Sequence, residues 1–200
     1  MNKRSLTVEL LVLAALIALG AGVRIWLGPE MPNFAPIAAI SLFAGYFFQR
    51  SYLAVLAPWV SMLASDAVLG GHEWQMMLVV YTMLTLPIAW SWGLRRVLRI
   101  ERTATASGLF GSVAALIGCS LISSVLFFLA TNFAWWPWND LYPHTVDGLI
   151  LSYERGLPFF RNTLCGDLFF AVTLFGSYAL AVSAGWVSET DRLEAKISAE

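Results

Sequence analysis

Apolar residues run through this chain in long blocks, separated by short clusters of polar, charged, Gly and Pro residues. A helix needs about 20 consecutive apolar residues to cross a bilayer, because no lipid-exposed backbone group can go unpaired. Measured against that length, the first block predicts a span over 7–27, with Arg24 near its far end and Gly28-Pro29-Glu30 after it. The second, 33–48, is short and is closed by Gln49-Arg50-Ser51. A third span is expected over 52–70, carrying Asp66, and a fourth over 74–94, which has no charge. After a basic stretch from Arg95 to Arg102, residues 103–139 are uncharged and fit a fifth span over 107–130. The segment 131–160 is more polar and broken by Pro, and predicts an outer loop, with a short amphipathic helix near Val146 to Tyr153. A sixth span is expected over 161–186, followed by a polar tail, 188–200. The pattern therefore predicts an all-α integral membrane protein: a bundle of about six transmembrane helices forming one domain over residues 1–200.

Composition agrees with that reading. Hydrophobic residues make up 58% of the chain and charged ones 12%, with a mean hydropathy of +0.70. A soluble globule of this size needs a mostly polar skin and cannot enclose so much apolar surface. The lipid bilayer is the partner this implies. A net charge of −1 excludes nucleic acid, which calls for a basic surface. Cys119 and Cys165 both lie in apolar runs and form no disulfide framework. Asn2-Lys3-Arg4 before Leu10 to Val23 has the outline of a signal peptide, but the further apolar segments favour an uncleaved first helix.

Orientation follows from the distribution of Lys and Arg, which concentrate on the cytoplasmic side. With six spans and the N-terminus inside, Lys3, Arg4, Arg50, Arg95, Arg96, Arg99, Arg102, Arg192 and Lys196 fall inside. Only Arg24, Arg155 and Arg161 fall outside, which places both termini in the cytoplasm. The chain has no phosphate-binding loop of the Gly-Lys type, and no internal repeat of the kind that builds inverted-repeat transporters.

Ionisable side chains inside a span cost about 2.5–3.5 kcal/mol at the helix centre, so they face a cavity or a partner. Arg24, Asp66, Arg161 and Asp167 all come out in the outer half of the expected bundle, with Asn33, Tyr81, Asn132, Tyr153 and Asn162 around them. Two readings compete. Arg24 with Asp66, and Arg161 with Asp167, can be plain ion pairs that pin helices together. Alternatively Asp66 and Arg161, with Asn162, line a pocket that opens outward. There Arg161 would present a fork of donors to a carboxylate or phosphate, and Asp66 would accept from an amine or hydroxyl. The aromatic run Phe133, Trp135, Trp136, Trp138 and Tyr142 suits an interfacial belt, or a lid in which Trp136 stacks on a flat ligand. Cys165 reads as a packing residue. His72, Glu73 and His144 have no spacing typical of metal ligands, so no metal site is expected. Ala14, Ala18 and Gly22, at four-residue spacing, form a groove for close approach of another helix, from this bundle or from a partner.

Four blocks carry a resemblance. They are Asn33-Phe34-Ala35-Pro36-Ile37-Ala38-Ala39-Ile40; Ser65-Asp66-Ala67-Val68-Leu69-Gly70; Leu126 to Phe133; and Gly156-Leu157-Pro158-Phe159-Phe160-Arg161-Asn162-Thr163-Leu164 with Gly166-Asp167-Leu168-Phe169. In order, they resemble the signature blocks of an uncharacterised family of bacterial membrane proteins. That family is similar in size and topology to the substrate-binding S components of energy-coupling-factor vitamin transporters. The similarity implies a protein of the bacterial cytoplasmic membrane that holds a vitamin- or cofactor-like molecule near its outer face. It also implies an energising coupling subunit, docked on an Ala-x-x-x-Ala stripe of the first helix that Ala14 and Ala18 match. The expected function is small-molecule binding and uptake of S-component type, with the identity of the ligand and of any cofactor left open. Two alternatives stand beside it: a membrane enzyme using Asp66 or Asp167 on a lipid-like substrate, and a structural or assembly subunit without a ligand.

Overall fold

The computed structural model describes residues 5–71, 73–98, 100, 106–138 and 140–185. The expectations for Lys3, Arg4, His72, Arg99, Arg102, Arg192, Lys196 and the tail 188–200 lie outside the described residues. The described chain is helical throughout. It comprises α1 (Leu6–Leu27), α2 (Ile37–Phe47), α3 (Ser51–Leu69), α4 (Trp74–Thr85), α5 (Pro87–Val97), α6 (Ala106–Trp138) and α7 (Val146–Ser183). α4 and α5 continue one another as a single apolar unit, and five helices are then long and apolar enough to cross a bilayer. Large apolar side chains such as Trp92, Phe110 and Leu180 point outward and are more than two-thirds exposed. Lipid is the surrounding that makes such a surface stable.

The short helix α2 occupies the middle. Its eleven residues span only about 16 Å, and every one except Tyr46 is buried. A helix apolar on all faces belongs in a core; this one is enclosed by α3, α5 and α7, with α1, α4 and α6 at its margins. Close approach depends on small residues. Gly20 of α1 sits against Ser61 of α3, and Gly45 of α2 against Ser91 of α5. Either seam would be wedged apart by a larger side chain.

Polar contacts at two levels fix the direction of each helix. At one end, the buried Glu9 of α1 meets Arg50, the residue before α3, and accepts from the Gln49 amide at 3.3 Å. At the other end, Arg24 of α1 meets Asp66 of α3 at 2.8 Å. α1 and α3 are therefore parallel, and the two levels are about 22 Å apart. α2 runs back between them. Its last carbonyls, at Gly45 and Phe48, accept from Arg95 of α5, and the Tyr46 hydroxyl donates to the Leu98 carbonyl at 3.0 Å. Those carbonyls have no partner within their own helix, and the cation also suits the negative end of the helix dipole. α4–α5 thus returns from the Asp66 level, where Tyr81 lies, to the Arg50 level. α6 starts beside Val97 and α7 comes back antiparallel to it, with Tyr178 reaching the rings of Phe43, Tyr46 and Phe47. Over the described residues the helices pass up and down six times.

Breaks in helix geometry follow the prolines. Pro87 has no amide hydrogen to give, so the ladder opens between α4 and α5. Beside the break, the Ser41 hydroxyl of α2 donates to the Leu84 carbonyl at 2.5 Å. Pro58 and Pro158 are accommodated inside α3 and α7.

The expected outer loop is the part of the plan that changes. Residues 131–160 are largely helical: α6 runs to Trp138 and α7 begins at Val146, leaving only a connection between them. At 33 and 38 residues these helices are about 50 and 57 Å long, well beyond the ~30 Å of a hydrocarbon core. Polar residues that would be excluded from a span are tolerated in the parts that project past it. Thr145 caps α7, its side chain accepting from the Gly148 amide at 3.2 Å.

Candidate functional site

The projecting halves of α6 and α7, the Arg24 end of α1 and α3, the start of α4 and the loop before α2 enclose a cavity of about 650 Å³. Ligand sites of proteins fall in the range of ~300–1,000 Å³. α2 is the reason for the space. It begins only at Ile37, behind the Pro32–Pro36 turn in which Asn33 adopts a positive φ of 66°. The longer helices around it therefore rise past its end and leave a void above it.

One wall carries a charge cluster. Arg24 bonds Asp66 at 2.8 Å and donates to the Ser65 hydroxyl at 2.5 Å, and it also approaches the Met62 sulfur at 2.9 Å. Asp66 takes a second hydrogen bond from Tyr81 at 2.9 Å. The pair expected between Arg24 and Asp66 is thus present, and it also lines the cavity.

The opposite wall is a stripe of α7: Ser152, Gly156, Phe160, Thr163 and Asp167, at helical spacing. Asp167 is 4% exposed and accepts from Ser124 of α6 at 2.6 Å. Arg161, expected to pair with Asp167 or to face the ligand beside Asp66, does neither. It is exposed and lies off the cavity wall. Six residues place it about 240° round the helix from Asp167, so two groups at similar depth still point different ways. The guanidinium that borders the cavity from α7 is Arg155, at the exposed mouth.

The remaining candidates divide. Asn33, Tyr81 and Asn132 line the cavity; Asn132 also bonds its own helix at Phe128 and packs against Gly156. Asn162 is off the wall and donates to the Pro32 carbonyl at 3.0 Å, tying α7 to the loop before α2. Tyr153 braces α6 through the Leu129 carbonyl at 3.0 Å. Trp136 donates to the Pro143 carbonyl at 2.9 Å and stands edge-on to His144, so it supports the α6–α7 connection. Its neighbour Trp135 and Tyr142 border the cavity instead. Cys165 is exposed and off the wall, and Cys119 packs against the core. Ala14, Ala18 and Gly22 face outward from the bundle, with nothing close to Gly22.

Three features of the site escape a reading of the sequence by charge and depth. Thr131, Thr163 and Arg155 belong to the wall, and the i, i+4, i+11, i+15 spacing of Ser152, Gly156, Thr163 and Asp167 is the signal that identifies that face. Glu9, at the far level and outside the site, is missed as well. It is fully buried although it lies close to the start of the first helix.

No curated protein and no solved structure matches this chain. One family does, over residues 4–188, which is most of the length. The chain belongs to the family of unknown function DUF6580.

Proposed function

We propose that this protein binds a small organic molecule in the cavity between α6, α7 and the Arg24–Asp66 pair, and serves its uptake across the bacterial cytoplasmic membrane in the manner of an S component. The observation that carries this reading is the cavity itself. Its volume falls in the range of small-molecule sites, its walls are mainly apolar, and a small number of polar groups converge on it. On the Lys/Arg bias, the cavity opens to the outside, since Arg50, Arg95 and Arg96 collect at the far level and the termini are then cytoplasmic. The far level is closed by Glu9 with Arg50, and by Arg95 on the end of α2, so the molecule as described is open on one side.

An energising coupling subunit fits the outward face of α1, where Ala14, Ala18 and Gly22 leave room for a helix backbone to approach. The resemblance of the sequence blocks given above, to a family like the S components in size and topology, favours the same assignment. Native mass spectrometry of the purified protein tests the proposal. It should carry one small molecule per chain, identifiable by its mass and fragmentation. Protein that is uniformly empty and gains no adduct from a cell extract would count against ligand binding.

A further inference from the structure

Three carboxylates are set into the bundle, and two have a cation: Glu9 has Arg50, and Asp66 has Arg24. Asp167 has none among the described residues. Its support is a single hydroxyl, Ser124, which carries one proton and shares it with the Ser120 carbonyl at 3.0 Å. Asp167 Oδ1 makes no hydrogen bond within the described chain, and no fully enclosed side-chain oxygen there is left unbonded. Oδ1 is therefore the oxygen that opens to the cavity.

The groups around it have the same character. Thr163, one turn earlier on the same face, spends its proton on the Phe159 carbonyl at 3.0 Å. About two turns of α6 beyond Ser124, toward the mouth, Thr131 spends its own on the Phe127 carbonyl at 2.7 Å. A hydroxyl that has donated offers only lone pairs, so this part of the wall presents acceptors alone. A buried carboxylate without a counter-charge is costly, and a ligand that brings donors and positive charge removes that cost. Beside these oxygens, Phe127, Phe128 and Phe160 line the cavity, with the last two rings 4.8 Å apart. The other charges on the wall leave Asp167 as the place for a cation. Arg24 and Asp66 neutralise each other, and Arg155 stands at the exposed mouth.

From this arrangement we infer that the ligand is a planar organic cation with two or more N–H donors, an amidinium, guanidinium or protonated aminoheterocycle, whose charged end docks on Asp167 and the Thr163 hydroxyl. The inference rests on the binding proposal above and narrows its ligand class. It is tested on the purified full-length protein with three probes of one shape: benzamidine, positively charged; benzamide, neutral; and benzoate, negatively charged. The binding constants are read from thermal stabilisation. Benzamidine should bind best and benzoate least. In Asp167→Asn, benzamidine should bind at least about tenfold more weakly while benzamide is little changed. Equal affinity for all three, a preference for benzoate, no binding of any probe, or a benzamidine preference that survives in Asp167→Asn each overturns the assignment. The ranking on wild-type protein decides by itself if the variant does not fold. A co-purified anionic molecule would overturn the cation and leave the uptake reading standing; a protein that binds no small molecule would remove both.

Discussion

Arg24 of α1 and Asp66 of α3 face each other at 2.8 Å across the wall of the cavity, with Tyr81 of α4 completing the carboxylate's partners. One contact thereby joins three helices and supplies polar lining. Removing one member of an enclosed ion pair costs about 3–5 kcal/mol, because the other charge is left without a partner. Here the cavity admits water to the site, so Asp66→Asn or Arg24→Gln should cost about 2–3 kcal/mol, somewhat below that range. The double variant should recover part of the loss. Urea or thermal melts of the four proteins in detergent measure this, and single variants as stable as wild type would mean that the pair contributes nothing to the fold.

Two glycines on the same helix separate packing from exposure. A Cβ added at Gly20 would lie 2.7 Å from the Ser61 Cβ, whereas at Gly22 it meets nothing within 4 Å. Gly20→Ala should therefore destabilise by about 1–3 kcal/mol through overpacking of the α1–α3 seam. Gly22→Ala should be neutral or slightly stabilising. The melting temperatures of the two variants check the contrast, and equal values would show that α1 does not pack on α3 through Gly20.

The orientation can be read independently of any ligand. A reporter fused after Asp140, in the α6–α7 connection, is expected to report the extracytoplasmic side, and one fused after Ile100, beyond α5, the cytoplasm. The reverse pair of signals would place the cavity on the inner face.

The outward stripe on α1 gives a separable test of the coupling partner. Ala18→Trp changes a side chain that faces away from the bundle, so folding and the bound small molecule should persist. Uptake into cells should fall to background if a subunit docks there. Unchanged uptake would mean that this face meets only lipid.

Most of the helix plan could be read in the sequence because lipid imposes a length and forbids charge. Leu6–Leu27, Ser51–Leu69 and the start at Trp74 lie within a residue of the expected limits. α6 and α7 were not legible to their full length, because hydropathy detects the part of a helix that lies in lipid. Trp138 and Val146 bound helix that stands beyond it, where Asn132, Arg155 and Pro158 are tolerated. The site was legible in part. Charge and depth singled out Arg24, Asp66 and Asp167, which all reach the cavity. They failed for Arg161, because depth along a helix says nothing of direction around it. The α7 face became distinguishable only once Ser152, Gly156, Thr163 and Asp167 were seen to share it. Composition leaves belt and lid open for Trp136, whose indole nitrogen is taken by the Pro143 carbonyl.

Filling the cavity shows whether a small molecule occupies it. Val80 borders the cavity from α4 and is half-buried, so Val80→Trp should project an indole into the void while leaving the outer surface unchanged. Native mass spectrometry of wild type and this variant, purified in parallel, measures occupancy directly. The wild-type protein should carry one small molecule per chain, and the folded variant should carry little or none. An adduct retained in equal amount by a folded Val80→Trp protein would contradict the assignment of the ligand to this cavity.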